Sequence, residues 1–182
     1  MKVAFDTATL ILSLSPNPGV VRDRAGNPIP RAKERVEFLL TELSESRTTV
    51  IIPTPVFSEL LTRSENAASR YFDIISNSKY FRLEPFDARA AIEAAMMTRK
   101  AFESGLGKRG GSSDSWPKVK FDRQIVAIAK VCGADKIYSE DQGVISLGHS
   151  AGIPVIGVAE LSLPPDQAQP PLPFPKTETE GD

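Results

Sequence analysis

Lys2-Val3-Ala4-Phe5-Asp6-Thr7 heads the chain as a short, apolar-leaning run that ends on an acid. Read as a buried strand, it carries Asp6 to its far end. In an open α/β sheet, ligands sit in the crevice beyond the carboxyl ends of the strands, where the connections diverge to opposite faces. An acid at that place adds nothing to packing. Asp6 is therefore read as the first of four acids gathered to hold a divalent cation.

The following segments repeat a strand-then-helix pattern. Thr7 to Leu14 can start a helix, with Thr7 or Thr9 near its N-cap. Ser13 to Pro30 is then broken by Pro16, Pro18, Gly19, Gly26, Asn27, Pro28 and Pro30. Val20-Val21 and Ile29, flanking Asp23 to Asn27, fit a small hairpin. This long connection either touches a substrate or partner, or decorates the surface. Arg31 to Ser46 is an amphipathic helix, with Val36, Leu39, Leu40 and Leu43 at helical spacing. Thr49 to Ile52 is a strand closed by Pro53 and Pro55, and helices over Val56 to about Arg63 and Asn66 to Asn77 follow.

Tyr80 to Leu83 reads as another strand. The alanine-rich stretch Asp87 to Ser104 reads as a helix, and Gly105 to Pro117 as a Gly/Ser-rich loop. Phe121 to Cys132 is a further helix ended by Gly133. Lys136 to Ser139 is a strand, Asp141 to Ser150 a turn with a short helix, and Ile153 to Ile156 a last strand. Such alternation predicts a mostly parallel sheet covered on both faces. One domain over residues 1–163 is expected, with a Pro-rich acidic tail over 164–182 too poor in apolar residues to pack.

The chain has 182 residues, 41% hydrophobic and 25% charged, which suits a single globular core. No apolar run reaches the ~18–20 residues of a membrane-spanning helix, and no apolar h-region follows Lys2. A cytoplasmic protein without membrane contact is expected. One cysteine, Cys132, excludes an intramolecular disulfide, and one histidine, His149, excludes a zinc site built on several imidazoles. The net charge of −1 is uneven. From Arg99 to Arg123 seven basic residues face three acids, a local surface suited to phosphate as well as to plain solvation.

Asp6, Glu59, Asp122 and Asp141 share a positional logic. Asp6 follows the first strand, Glu59 lies in the helix after Thr49–Ile52, Asp122 opens the helix Phe121–Cys132, and Asp141 follows Lys136–Ser139 with Glu140 beside it. In a parallel sheet these places lie along one edge. Converging carboxylates repel and take up protons unless a cation compensates. Mg²⁺ prefers such oxygen ligands and is often held through carboxylates plus substrate phosphate. The opposing assignment for each acid is local: dipole partners at helix starts for Glu59 and Asp122, turn formers for Glu140 and Asp141. Lys118, Lys120 and Arg123, next to Asp122, are the first candidates to contact phosphates. Trp116 either stacks on a base or packs on its own domain.

Four stretches carry a resemblance: Val3-Ala4-Phe5-Asp6-Thr7, Pro53-Thr54-Pro55-Val56-Phe57-Ser58-Glu59-Leu60, Phe121-Asp122-Arg123-Gln124-Ile125-Val126-Ala127-Ile128-Ala129, and Tyr138-Ser139-Glu140-Asp141. In that order, from Met1 to about Leu161, the chain resembles the PIN-domain nucleases, particularly the VapC-type toxins. The resemblance implies a three-layer α/β/α sandwich around a five-stranded parallel sheet and a Mg²⁺- or Mn²⁺-dependent endoribonuclease. It implies catalytic and metal-binding roles for Asp6, Glu59, Asp122 and Asp141. Thr7 and Ser139 match hydroxyls beside the metal or the phosphate, and Glu140 stands in support of Asp141. RNA as substrate, a cognate antitoxin and a homodimer are the implied partners. The chain departs from the pattern at Ala8, where many members carry Asn or Ser. It departs again at Gly143, where a further Asp often follows. The insertion Ser13–Pro30 and the loop Gly105–Pro117 are longer than in a minimal member.

Two rivals remain at this point. A catalytically silent module with the same fold would bind RNA or a protein without cutting. A receiver-like phosphoacceptor would need two adjacent acids after the first strand, and Asp6-Thr7 does not supply them.

Overall fold

The computed structural model describes residues 1–23, 25–64 and 67–165. Among them lie five strands and seven α-helices. The strands are β1 (Lys2–Phe5), β2 (Thr49–Pro53), β3 (Phe81–Glu84), β4 (Lys136–Tyr138) and β5 (Val155–Ile156). They form one sheet in the order β3-β2-β1-β4-β5, every pairing parallel. The helices are α1 (Thr7–Leu14), α2 (Ala32–Glu45), α3 (Thr54–Arg63), α4 (Ala68–Asn77), α5 (Ala88–Glu103), α6 (Trp116–Val131) and α7 (Gln142–Ala151).

Side-chain alternation along the strands builds the layers. Val3 and Phe5 of β1, Val50 and Ile52 of β2 and Tyr138 of β4 pack with α1, α2, α3 and α4. The residues between them, Ala4, Ile51 and Ile137, pack with α5, α6 and α7 on the other face. Both faces are thus buried, as a parallel sheet requires. The outcome is the predicted three-layer α/β/α sandwich, with β1 at its centre. Position matters more than content here: β1 pairs with β2 on one side and β4 on the other, so the chain leaves all three strands at one edge.

Several boundaries differ from expectation. The loop after α5 ends at Ser115, whose hydroxyl caps α6, and Pro117 sits inside the first turn. Proline costs nothing there, because the first-turn N–H groups have no intrahelical partner. Asp122 therefore lies in the second turn of α6 and does not open the helix. The predicted helix from Asn66 begins at Ala68, with residues 65 and 66 outside the described set. Around Asp23 a small two-stranded turn forms, with Arg22 bridged antiparallel to Pro28 and the Asp23 carboxylate accepting from Ala25 and Asn27. Most of the 164–182 tail lies outside the described residues. No helix among them is long and apolar enough to cross a membrane.

Candidate metal centre

The crossings from strand to helix place the acids. Asp6 leaves β1 as the N-cap of α1, its Oδ1 accepting from the Thr9 amide at 2.8 Å. Asp141 leaves the end of β4 as the N-cap of α7, its Oδ1 accepting from Gly143 and Val144. An Asp at this position satisfies donors that the helix itself leaves unpaired. The strand ends are tied together: the Asp6 amide and the Thr9 hydroxyl both donate to the Tyr138 carbonyl. Ser139 links the two caps, its hydroxyl donating to Asp6 Oδ2 and accepting from the Asp141 amide at 3.0 Å.

Asp6, Thr7, Glu59, Asp122, Glu140 and Asp141 line one cleft of about 770 Å³, together with Lys118 and Arg63. The expected convergence from four elements is present. The cations in it were not expected in these places. Lys118 reaches forward over one turn of α6, and its Nζ lies 2.9 Å from Asp122 Oδ2 and 2.8 Å from Asp141 Oδ2. Arg63 pairs with Glu59 Oε1, and the Thr7 hydroxyl donates to Glu59 Oε2 at 2.6 Å. Glu140 is turned aside, accepting from the Ala159 amide in the short 3₁₀ segment Val158–Glu160.

The two other basic candidates face elsewhere. On α6, Lys118 and Asp122 share a helix face, whereas Lys120 and Arg123 border a second groove against α5. Arg123 is only 2% exposed. Its Nη1 donates to Thr98 Oγ1 and the Lys108 carbonyl, and its guanidinium lies 5.6 Å from the Trp116 ring. A phosphate in the acidic cleft therefore has no route to Arg123, and Trp116 is engaged by its own chain. His149 is exposed in the last turn of α7.

Burial dominates the electrostatics. It pushes the Asp6 carboxyl above the usual range, against hydrogen bonds from Ser139 and Thr9 that favour the charged form. It likewise raises Asp122 to about 6, with Lys118 pulling down and the Asp141 charge pushing up. For Lys118, burial opposes the charge, yet hydrogen bonds to Asp141 and Asp122 outweigh it and hold its ammonium above its ordinary value. A carboxyl with a raised folded value stabilises the fold below about pH 4, and that contribution is lost as pH rises through about 6. Relative to Asp122→Asn, the metal-free protein is expected to lose about 2 kcal/mol between pH 4 and 7. Urea melts of both chains at the two pH values measure it, and an unchanged gap would remove Asp122 from the strained set.

Ser139→Ala tests the link between the caps. It strips the donor from the buried Asp6 Oδ2 and the acceptor from the Asp141 amide. A buried polar group left unpaired costs about 1–3 kcal/mol. Thermal unfolding should show that loss, whereas Ser139→Thr keeps most of it.

All four acids offer hard oxygen donors, the chemistry that suits Mg²⁺ or Mn²⁺. As the side chains stand, no group of three His, Cys, Asp or Glu among the described residues is gathered to ligate one ion. The Lys118 ammonium spans two of them, Asp122 and Asp141. Three features of the cleft escaped the sequence reading: the bridging by Lys118, the Arg63–Glu59 pair, and the room left by Gly143. A Cβ there would lie 2.2 Å from Asp122 Oδ2. Helical spacing of 118 with 122 and of 59 with 63 was the available signal for the first two.

No protein family and no curated protein matches the sequence. Solved structures do match. FitAB bound to an IR36 DNA fragment superposes with a TM-score of 0.58 at 18% identity, over 88% of this chain and 97% of that one. VapBC2 from Rickettsia felis, bound to a DNA fragment from their promoter, gives 0.57 at 13% identity, over 86% and 98%. The chain thus has the PIN-like α/β/α fold that these structures share.

Proposed function

We propose that this protein is a metal-dependent endoribonuclease of the VapC type, the toxin of a toxin–antitoxin pair. The observation that carries the reading is the convergence of Asp6, Glu59, Asp122 and Asp141, from four separate elements, on one cleft at the carboxyl edge of the sheet. The likeness in fold to the VapBC2 and FitAB structures supports it. Asp6, Asp122 and Asp141 would hold Mg²⁺ or Mn²⁺, with Glu59, held by the Thr7 hydroxyl, in the same cleft. Bound there, such an ion supplies Lewis-acid chemistry for hydrolysing a phosphodiester. The chain itself fixes Asp6 and Asp141 by their helix caps, excludes bulk water behind Asp6, and presents Lys118 to the incoming phosphate. A cognate antitoxin and a homodimer belong to the same proposal. The exposed Ile92, Met96 and Phe102 on α5 are apolar surface suited to a contact between copies.

Incubation of the purified chain with RNA and Mn²⁺, with and without EDTA, tests the reading. Cleavage that stops with chelation and is lost in Asp6→Asn is expected. The second reading, a catalytically silent binding module, draws on the Lys118 and Arg63 pairings that neutralise the acids from within the chain. RNA binding without Mg²⁺- or Mn²⁺-dependent cleavage would select it.

A further inference from the structure

The Asp122 carboxylate is nearly buried, its side chain 6% exposed, and it shares the Lys118 ammonium with Asp141. Two like charges at such a place are tolerated only with a cation between them. The cation present is the chain's own. Lys118 Nζ sits within 2.9 Å of one carboxylate and 2.8 Å of the other. Its geometry is held at both ends: the Ser115 cap fixes the start of α6, and Asp122 follows Lys118 by one helical turn. Gly143 keeps the floor open, since any side chain there would drive Asp122 away from the ammonium. Lysine suits an exchangeable role, because its charge is compact and rides on a flexible four-carbon stem. The Lys118 side chain is 39% exposed, so solvent is open to it when it leaves.

We infer that Lys118 is the resident counter-cation of the Asp122–Asp141 pair, and that its ammonium and a divalent ion exclude one another at this end of the cleft. Lys118 thereby sets how tightly the cleft takes metal. The metal half of this inference rests on the nuclease reading; the counter-cation half does not. Two positive groups cannot share the same pair of oxygens without repulsion, so a divalent ion must first displace Lys118. The metal-free protein is in turn protected from the repulsion between its own carboxylates. Lys118 is a positioning residue in this sense: it acts through Asp122 and Asp141.

The test compares the full chain with Lys118→Met, which keeps the length of the stem and removes the charge. Lys79→Met is the control, since Lys79 lies exposed in the turn before β3, at the opposite edge of the sheet. Mn²⁺ binding is followed by the paramagnetic signal of the free ion. At least tenfold tighter binding is expected in Lys118→Met, with Lys79→Met equal to the parent. Equal affinity in parent and Lys118→Met, or the same gain in Lys79→Met, overturns the exclusion. Absence of Mn²⁺ binding in every chain overturns the metal reading, and with it the exclusion. Melts without metal judge the counter-cation separately. Lys118→Met should melt lower than the parent, and Lys118→Met/Asp141→Asn should recover. A double variant melting as low as the single one would assign the loss to packing of the stem and overturn the counter-cation as well.

Discussion

Asp122→Asn is expected to lower RNA cleavage by about 10²–10³-fold, comparable to the loss of a group aimed at charge in the reacting centre. The same substitution is expected to leave the melting temperature equal to the parent's or higher. Both halves follow from the site. Asn keeps the shape of the carboxylate and can still accept from Lys118, so the local packing of α6 survives. It removes a charge that burial already disfavours, since burial pushes this carboxyl up to about 6. Loss of function together with retained or improved stability is the signature of a residue kept for chemistry at a cost to the fold. Cleavage assays under saturating Mn²⁺, paired with thermal melts at pH 7, measure both. A variant that cuts at the parental rate would sink the assignment of Asp122, and a large fall in stability would mark it as structural.

The second large effect is expected from Gly143→Ala. A methyl group there would stand 2.2 Å from Asp122 Oδ2, 3.2 Å from its Cγ and 3.0 Å from Asp141 Oδ1. The carboxylate is the end of a side chain, so it moves and the helix stays. For stability the terms nearly cancel: alanine in place of glycine favours a helix by up to about 1 kcal/mol, and overpacking costs about 1–3 kcal/mol. For function they do not cancel, because a displacement of about 1 Å in a reacting group can cost 10²-fold. At least a tenfold loss of cleavage, with a change of no more than about 2 kcal/mol in stability, is the expected result. Full activity in this variant would show that the position of Asp122 is not critical to turnover.

Much of this was legible in the chain because the physics was local. Short apolar runs ending on Asp6 or before Asp141, followed by helical patterns, gave the strand-to-helix crossings and hence one edge of the sheet. Beside the Arg63–Glu59 pair and the room at Gly143, what escaped was one helix boundary and its consequences. Gly105–Pro117 reads as a Gly/Ser-rich loop from its composition; in the structure Ser115 caps α6 and Pro117 fits its first turn. With α6 starting at Phe121, Lys118, Lys120 and Arg123 became one basic cluster beside Asp122. With α6 starting at Trp116, helical spacing separates them. Lys118 falls four residues before Asp122 on the same face, and Lys120 and Arg123 turn toward α5. Arg123 illustrates the limit further: its partners, Thr98 and the Lys108 carbonyl, lie 25 and 15 residues away and no spacing rule reveals them.

One consequence comes from the double duty of Asp6 and Asp141. Each closes the open end of a helix with one oxygen, while the other accepts from Ser139 in Asp6 and pairs with Lys118 in Asp141. A ligand that draws Asp141 toward itself must loosen its hold on the Gly143 and Val144 amides, so occupancy of the cleft is registered in the protection of those two backbone protons. Hydrogen exchange at the opening turn of α7 is therefore expected to report occupancy of the cleft whatever the ligand.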